Sequence, residues 1–246
     1  MLNRILAVAL IAGALTGVAV TGLQMVWAIP LIQAAETYEA KAVTEPKSGQ
    51  PVLAADGHAH SHGPAETLKQ AEWAPKDGFE RTFWTLLTNV LMAVGAGLIM
   101  AAAFSLKSEV DLPTGLAWGG AAFLAFALAP AMGLPPELPG TQAADITERR
   151  LWWALTTLGT AAGLALVYYG PQTWMKAAGL VAIILPHLIG APHPEIRGAL
   201  APVELQNQFI LASLTTSLVF WVLMGALTGF LTARFGAAAS PQHVPT

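Results

Sequence analysis

The chain contains no cysteine, which removes disulfides, thiolate metal sites, iron–sulfur clusters and cysteine nucleophiles together. Any metal chemistry must therefore use His, carboxylate, Met or backbone oxygen. Charge is also scarce: only 11% of the 246 residues are Asp, Glu, Lys or Arg, where soluble domains carry about a quarter. The 12 Lys and Arg are scattered, so no basic stripe awaits nucleic acid. Catalytic motifs are missing as well. There is no His-Glu-x-x-His helix, no Gly-x-Ser-x-Gly turn and no phosphate-cradling loop. The chain reads as no enzyme, and any transport it performs is driven by a gradient or by another chain.

What is present is apolar: 54% of residues are hydrophobic and the mean hydropathy is +0.55. Lipid is the solvent such a chain expects, and helices rich in Ala and Leu argue against a barrel of short alternating strands. Six stretches are long enough to span a bilayer, at residues 5–31, 83–105, 114–133, 151–170, 173–191 and 208–232. Six spans put both termini on one side. The first run, behind Arg4, exceeds a usual signal-peptide core and reads as a retained span. Charges flanking the spans are near parity, and a first helix behind Arg4 is expected to keep the termini cytoplasmic.

The one long polar segment, residues 34–80, reads as a flexible extramembrane loop rather than a second domain. It carries His58-Ala59-His60-Ser61-His62, three imidazoles on a Gly/Pro-flanked backbone. That composition suits capture of Co²⁺, Ni²⁺ or Zn²⁺ with fast exchange and little selectivity. An incidental polar linker is the alternative.

An internal repeat is suggested by Glu80-Arg81-Thr82-Phe83-Trp84 at the start of span two and Glu148-Arg149-Arg150-Leu151-Trp152 at the start of span four. Gly95 and Gly163 follow at matching offsets. Span three then ends at Pro130-Ala131-Met132-Gly133 with a Pro-rich exit to Glu137, and span five at Pro186-His187-Leu188-Ile189-Gly190 with a Pro-rich exit to Glu195. These patterns predict two helical hairpins in parallel relation, residues 83–133 and 151–191, each with a Pro-broken helix, followed by a last helix at 208–232. Each proline removes a backbone donor, which lipid tolerates only where neighbours or a wet cavity satisfy the freed carbonyl. The Glu-Arg openings read as interfacial, the acid meeting the helix dipole and the base reaching headgroups. The pairs Gly13/Gly17, Gly159/Gly163 and Gly225/Gly229 predict close helix contacts.

His187 is a sharper candidate, because an ionisable residue at a membrane helix end is costly and by default functional. It could share an ion with His193 or Glu195, or simply donate to a freed carbonyl. The candidate metal ligands are thus His58, His60, His62, His187, His193, Glu137 and Glu195.

Three segments carry a family resemblance: Glu72-Trp73-Ala74-Pro75-Lys76-Asp77-Gly78-Phe79-Glu80-Arg81-Thr82, then Leu128-Ala129-Pro130-Ala131-Met132-Gly133-Leu134-Pro135-Pro136-Glu137-Leu138-Pro139-Gly140, and Leu185-Pro186-His187-Leu188-Ile189-Gly190-Ala191-Pro192. Here the chain resembles the CbtA family of bacterial cobalt transporter subunits over essentially its whole length. The resemblance implies a multi-pass inner-membrane protein, cobalamin-linked regulation, Co²⁺ as the transported ion, and a small one-span CbtB-like partner with a His-rich end. It carries over no ligand residues. The expectation is an all-α six-transmembrane-helix bundle, one membrane domain over residues 1–246, that transports Co²⁺ or Ni²⁺ and holds no permanent cofactor. The rival is a non-transporting scaffold or metal-handing subunit acting with the CbtB-like partner.

Overall fold

The computed structural model describes residues 1–44, 75–107, 109–196 and 198–237, so the His58, His60 and His62 loop lies outside the described residues. The described chain is helical: α1 (Leu2–Val26), α2 (Ala28–Thr44), α3 (Phe79–Ser105), α4 (Leu112–Phe123), a π-helical stretch (Leu124–Leu128), α5 (Ala129–Ala131), α6 (Ile146–Tyr169), α7 (Thr173–Ile189) and α8 (Val203–Ala237). Its one β-type pairing among the described residues is an isolated antiparallel bridge, Thr141 to Ala199.

Among the described residues five helices are long and apolar enough to cross a membrane: Leu2–Val26, Phe79–Ser105, Leu112–Ala131, Ile146–Tyr169 and Val203–Phe235. The expected fifth span, residues 173–191, forms the 17-residue α7. At 1.5 Å per residue that is about 25 Å, the short end of what a bilayer requires.

The expected first span, 5–31, is divided. α1 ends at Val26, Trp27 leaves helical geometry, and α2 begins at Ala28. The first part of the expected 34–80 loop is therefore helical as far as Thr44. The cause is a buried face: Ala35 packs with Leu138 and Ala201, flanked by Ile32, Tyr38, Leu205 and Phe209. Glu36 and Glu39 in the same stretch gave it the polar look of a loop.

Glycine decides which helices meet. A side chain at Gly13 or Gly17 would come within 2.6 Å of the α3 backbone at Val94 or Val90, so α1 lies directly on α3. Gly115 and Gly119 of α4 face Gly225, Gly229 and Trp221 of α8, backbone against backbone. Gly163 of α6 meets Gly179 and Ile183 of α7, while Gly159 faces Ala182. Without side chains between them, two helices approach closely enough for dispersion and weak hydrogen bonds to hold them in lipid. Phe104 and Met224 are fully buried at the junction of α3 and α8, and Trp118 of α4 sets its edge on Phe104.

Only the second expected hairpin forms as a packed pair. Among the described residues α3 packs on α1 and α8, and α4 on α8 and α6. Although consecutive in the chain, α3 and α4 do not pack on each other along their backbones. The two glycines matched in the repeat differ accordingly, Gly163 being sealed against α7 while Gly95 faces open space. Neither proline simply breaks its helix. α7 continues through Pro186 to Ile189 and stops at Gly190, whose φ of 90° suits a residue without Cβ. Pro130 follows the π-helical stretch, in which the Ala129 N–H reaches back to the Leu124 carbonyl. Such a widened turn accommodates a proline without ending the helix at once.

Candidate functional site

Two ends of the bundle differ in chemistry. At one, Arg4 donates to the Thr232 carbonyl at 2.7 Å, and Lys107 contacts Tyr169 and the face of Trp118. At the other lie α2, the start of α3, the loop 132–145, the start of α6, the loop 190–202 and the start of α8. This second end gathers the described candidates His187, His193, Glu137 and Glu195.

The two Pro-rich loops meet there. The Gln142 N–H donates to the Gly198 carbonyl at 2.9 Å, and the Leu200 N–H to the Gly140 carbonyl at 3.2 Å. Gln206 of α8 clasps the first loop, donating to the Pro136 carbonyl at 2.6 Å and accepting from the Leu138 N–H at 3.1 Å. Gly133 sits under the Trp152 ring and beside Ala191, so the exits of α5 and α7 are neighbours.

His187 lies in the last turn of α7, partly buried, its ring edge-on to Trp152 with centroids 5.9 Å apart. Trp152 is itself buried, and its indole N–H finds no hydrogen-bond partner among the described residues. His193 and Glu195 are exposed on the following loop. Glu137 is half-buried and ion-paired with Arg149 at 2.7 Å. Burial pushes its carboxyl above the ordinary carboxylate range, and Arg149 pulls back against that shift. Asp145 caps α6, accepting from the Thr147 and Glu148 N–H groups, which hold its carboxyl below the usual range. Among the described residues no three or more His, Asp and Glu gather to hold a metal ion. The candidates thus share one end of the molecule without forming a closed ligand cage.

The Glu-Arg openings of α3 and α6 serve the protein itself. Arg81 pairs with Glu36 of α2 and with Asp77, as Arg149 pairs with Glu137. Each arginine pins an acid from a neighbouring segment, which spacing alone did not reveal. The sequence reading also passed over Asn89, a polar residue about ten positions into α3 that donates to Thr21 and Gln24 of α1 at 2.9 and 2.7 Å. With Arg81, Trp84, Thr85, Thr88 and Pro75 it lines an open groove. A lone Asn in a long apolar run is the signal that could have found it.

Residues 2–233 match the family described as "Probable cobalt transporter subunit (CbtA)". No curated protein and no solved structure matches the chain.

Proposed function

Because the chain belongs to the CbtA family of cobalt transporter subunits, we propose that it moves Co²⁺, with Ni²⁺ as second substrate, across the bacterial inner membrane. In this reading α7 is a short sixth crossing. Both termini then face the cytoplasm, and the His-bearing loop and the joined Pro-rich loops face outward. His58, His60 and His62 raise the local ion concentration, and the ion passes to the end of α7. His187 receives it there, with His193 and Glu195 supplying exchangeable ligands from the adjoining loop. Glu137 belongs to the framework of this end, since Arg149 already holds it.

The observation that carries the reading is His187 itself, an imidazole in the last turn of an apolar helix, set against the Trp152 ring on which Gly133 of the other proline-bearing segment also packs. Imidazole suits late first-row divalent ions, and a site without a complete cage releases as readily as it binds. His187→Ala is expected to lower uptake of radiolabelled Co²⁺ more than replacement of all three loop histidines, which act only on local concentration. Equal uptake by wild type and His187→Ala would remove the residue from the mechanism.

The word subunit in the family description favours a second arrangement, in which the chain hands metal to, or scaffolds, a small one-span CbtB-like protein. Metal bound only by a co-purified pair supports that form.

A further inference from the structure

α6 carries an unusual row of buried polar groups. Thr156, Thr157 and Thr160 are buried, and their hydroxyls, like the Trp152 indole N–H, have no hydrogen-bond partner among the described residues. Leaving such groups unpaired costs about 1–3 kcal/mol each, so four on one membrane helix call for a reason.

A freed carbonyl lies on a neighbour of this row. Pro186 has no N–H, so the carbonyl one turn earlier, on Ala182, lacks its ordinary helical donor. That carbonyl faces α6 at Gly159, within 2.9 Å of where a side chain would begin. Pro130 likewise withdraws a backbone donor from the end of the π-helical stretch, where the Ala129 N–H already reaches five residues back to Leu124. The Phe126 ring lies beside Trp153, and Thr157 stands one helical turn beyond Trp153 on the same side of α6. His187 contacts Trp152 at the loop end of the row.

We propose that Trp152, Thr156, Thr157 and Thr160, with the carbonyl of Ala182, line an intramembrane path for a partly hydrated divalent cation, its mouth at His187. The path rests on the transport reading above and deepens it by naming the oxygen donors. Neutral hydroxyls and carbonyls replace hydration water step by step without trapping the ion. In the present conformation the hydroxyls are shut off from solvent, so the path is closed and must open during transport.

The natural absence of cysteine supplies the test. Thr156→Cys and Thr160→Cys are placed singly in the full chain in membranes and treated with a small cationic thiol reagent in the presence and absence of Co²⁺. Both are expected to be modified, and Co²⁺ to slow modification. Leu158→Cys, on the exposed apolar face, should stay unmodified. Failure to label Thr156→Cys and Thr160→Cys above Leu158→Cys in a chain that takes up Co²⁺ overturns the path alone. Absence of wild-type uptake, with or without a partner, overturns the transport reading instead. The double variant Thr156→Val/Thr160→Val is expected to take up Co²⁺ about tenfold more slowly, a factor of ten being 1.4 kcal/mol. Its thermal stability in detergent should hold or rise, because unpaired hydroxyls are removed. Wild-type uptake with raised stability would assign these hydroxyls a structural role only and also overturn the path.

Discussion

The pairs α1/α3 and α4/α8 on one hand, and α6/α7 on the other, use the same glycine seam to different ends. In the first group the seam closes over Phe104 and Met224, and buried polar groups there find partners: Thr228 donates to the Met224 sulfur, Thr21 to the Gly17 carbonyl, and Asn89 to Thr21 and Gln24. Thr16 and Thr216 are isolated exceptions on separate helices. The α6/α7 pair meets through Gly159, Gly163 and Gly179, yet places a proline in α7 and four unpartnered polar groups on α6. Close packing alone therefore does not distinguish scaffold from working part. What distinguishes them is whether buried polar atoms are satisfied, and the satisfied group is expected to stay fixed while the other moves.

The largest effect that would break this comparison belongs to the scaffold. Gly225→Val drives a branched side chain into the α4 backbone at Gly115 and Gly119. It should cost about 3 kcal/mol or more and remove most folded protein, read as the monodisperse fraction after detergent extraction. Gly163→Ala, pressed on Gly179 and Ile183, should cost about 1–3 kcal/mol in thermal unfolding. If it leaves stability intact yet slows uptake, the α6/α7 seam is mobile.

An intermediate effect is expected where the loops join. Arg149→Gln leaves Glu137 half-buried without its ion-pair partner, whereas Glu137→Gln leaves no buried negative charge. The arginine variant should be the less stable at neutral pH. Its Glu137, raised further by the loss of Arg149, favours the protonated form in the fold. Stability of that variant should therefore recover as pH falls through the raised value, which melting curves at neutral and mildly acidic pH will show. The smallest effect is Gly95→Ala, at a position facing open space, where better helix propensity should add about 0.5–1 kcal/mol.

Helical spans were legible because lipid demands long apolar runs, and Gly13/Gly17, Gly159/Gly163 and Gly225/Gly229 each proved to be a helix contact. Their partners were not legible, since a glycine pattern states that something comes close without saying which helix. That is why α3 and α4 were expected to pair. α2 was missed because its apolar face is narrow and its other side carries Glu36 and Glu39. At the site, the sequence brought His187, His193, Glu137 and Glu195 to one end of the molecule, but spacing gave no hint that Arg149 occupies Glu137. The threonine row escaped notice because Thr in a membrane helix ordinarily bonds its own backbone.

The most direct measurement is radiolabelled Co²⁺ uptake in cells stripped of other cobalt routes, expressing the chain alone or with a one-span His-bearing partner. The account predicts uptake in at least one of the two cases, sharply reduced by His187→Ala. Uptake no greater than in cells lacking the chain, in both cases, would contradict it.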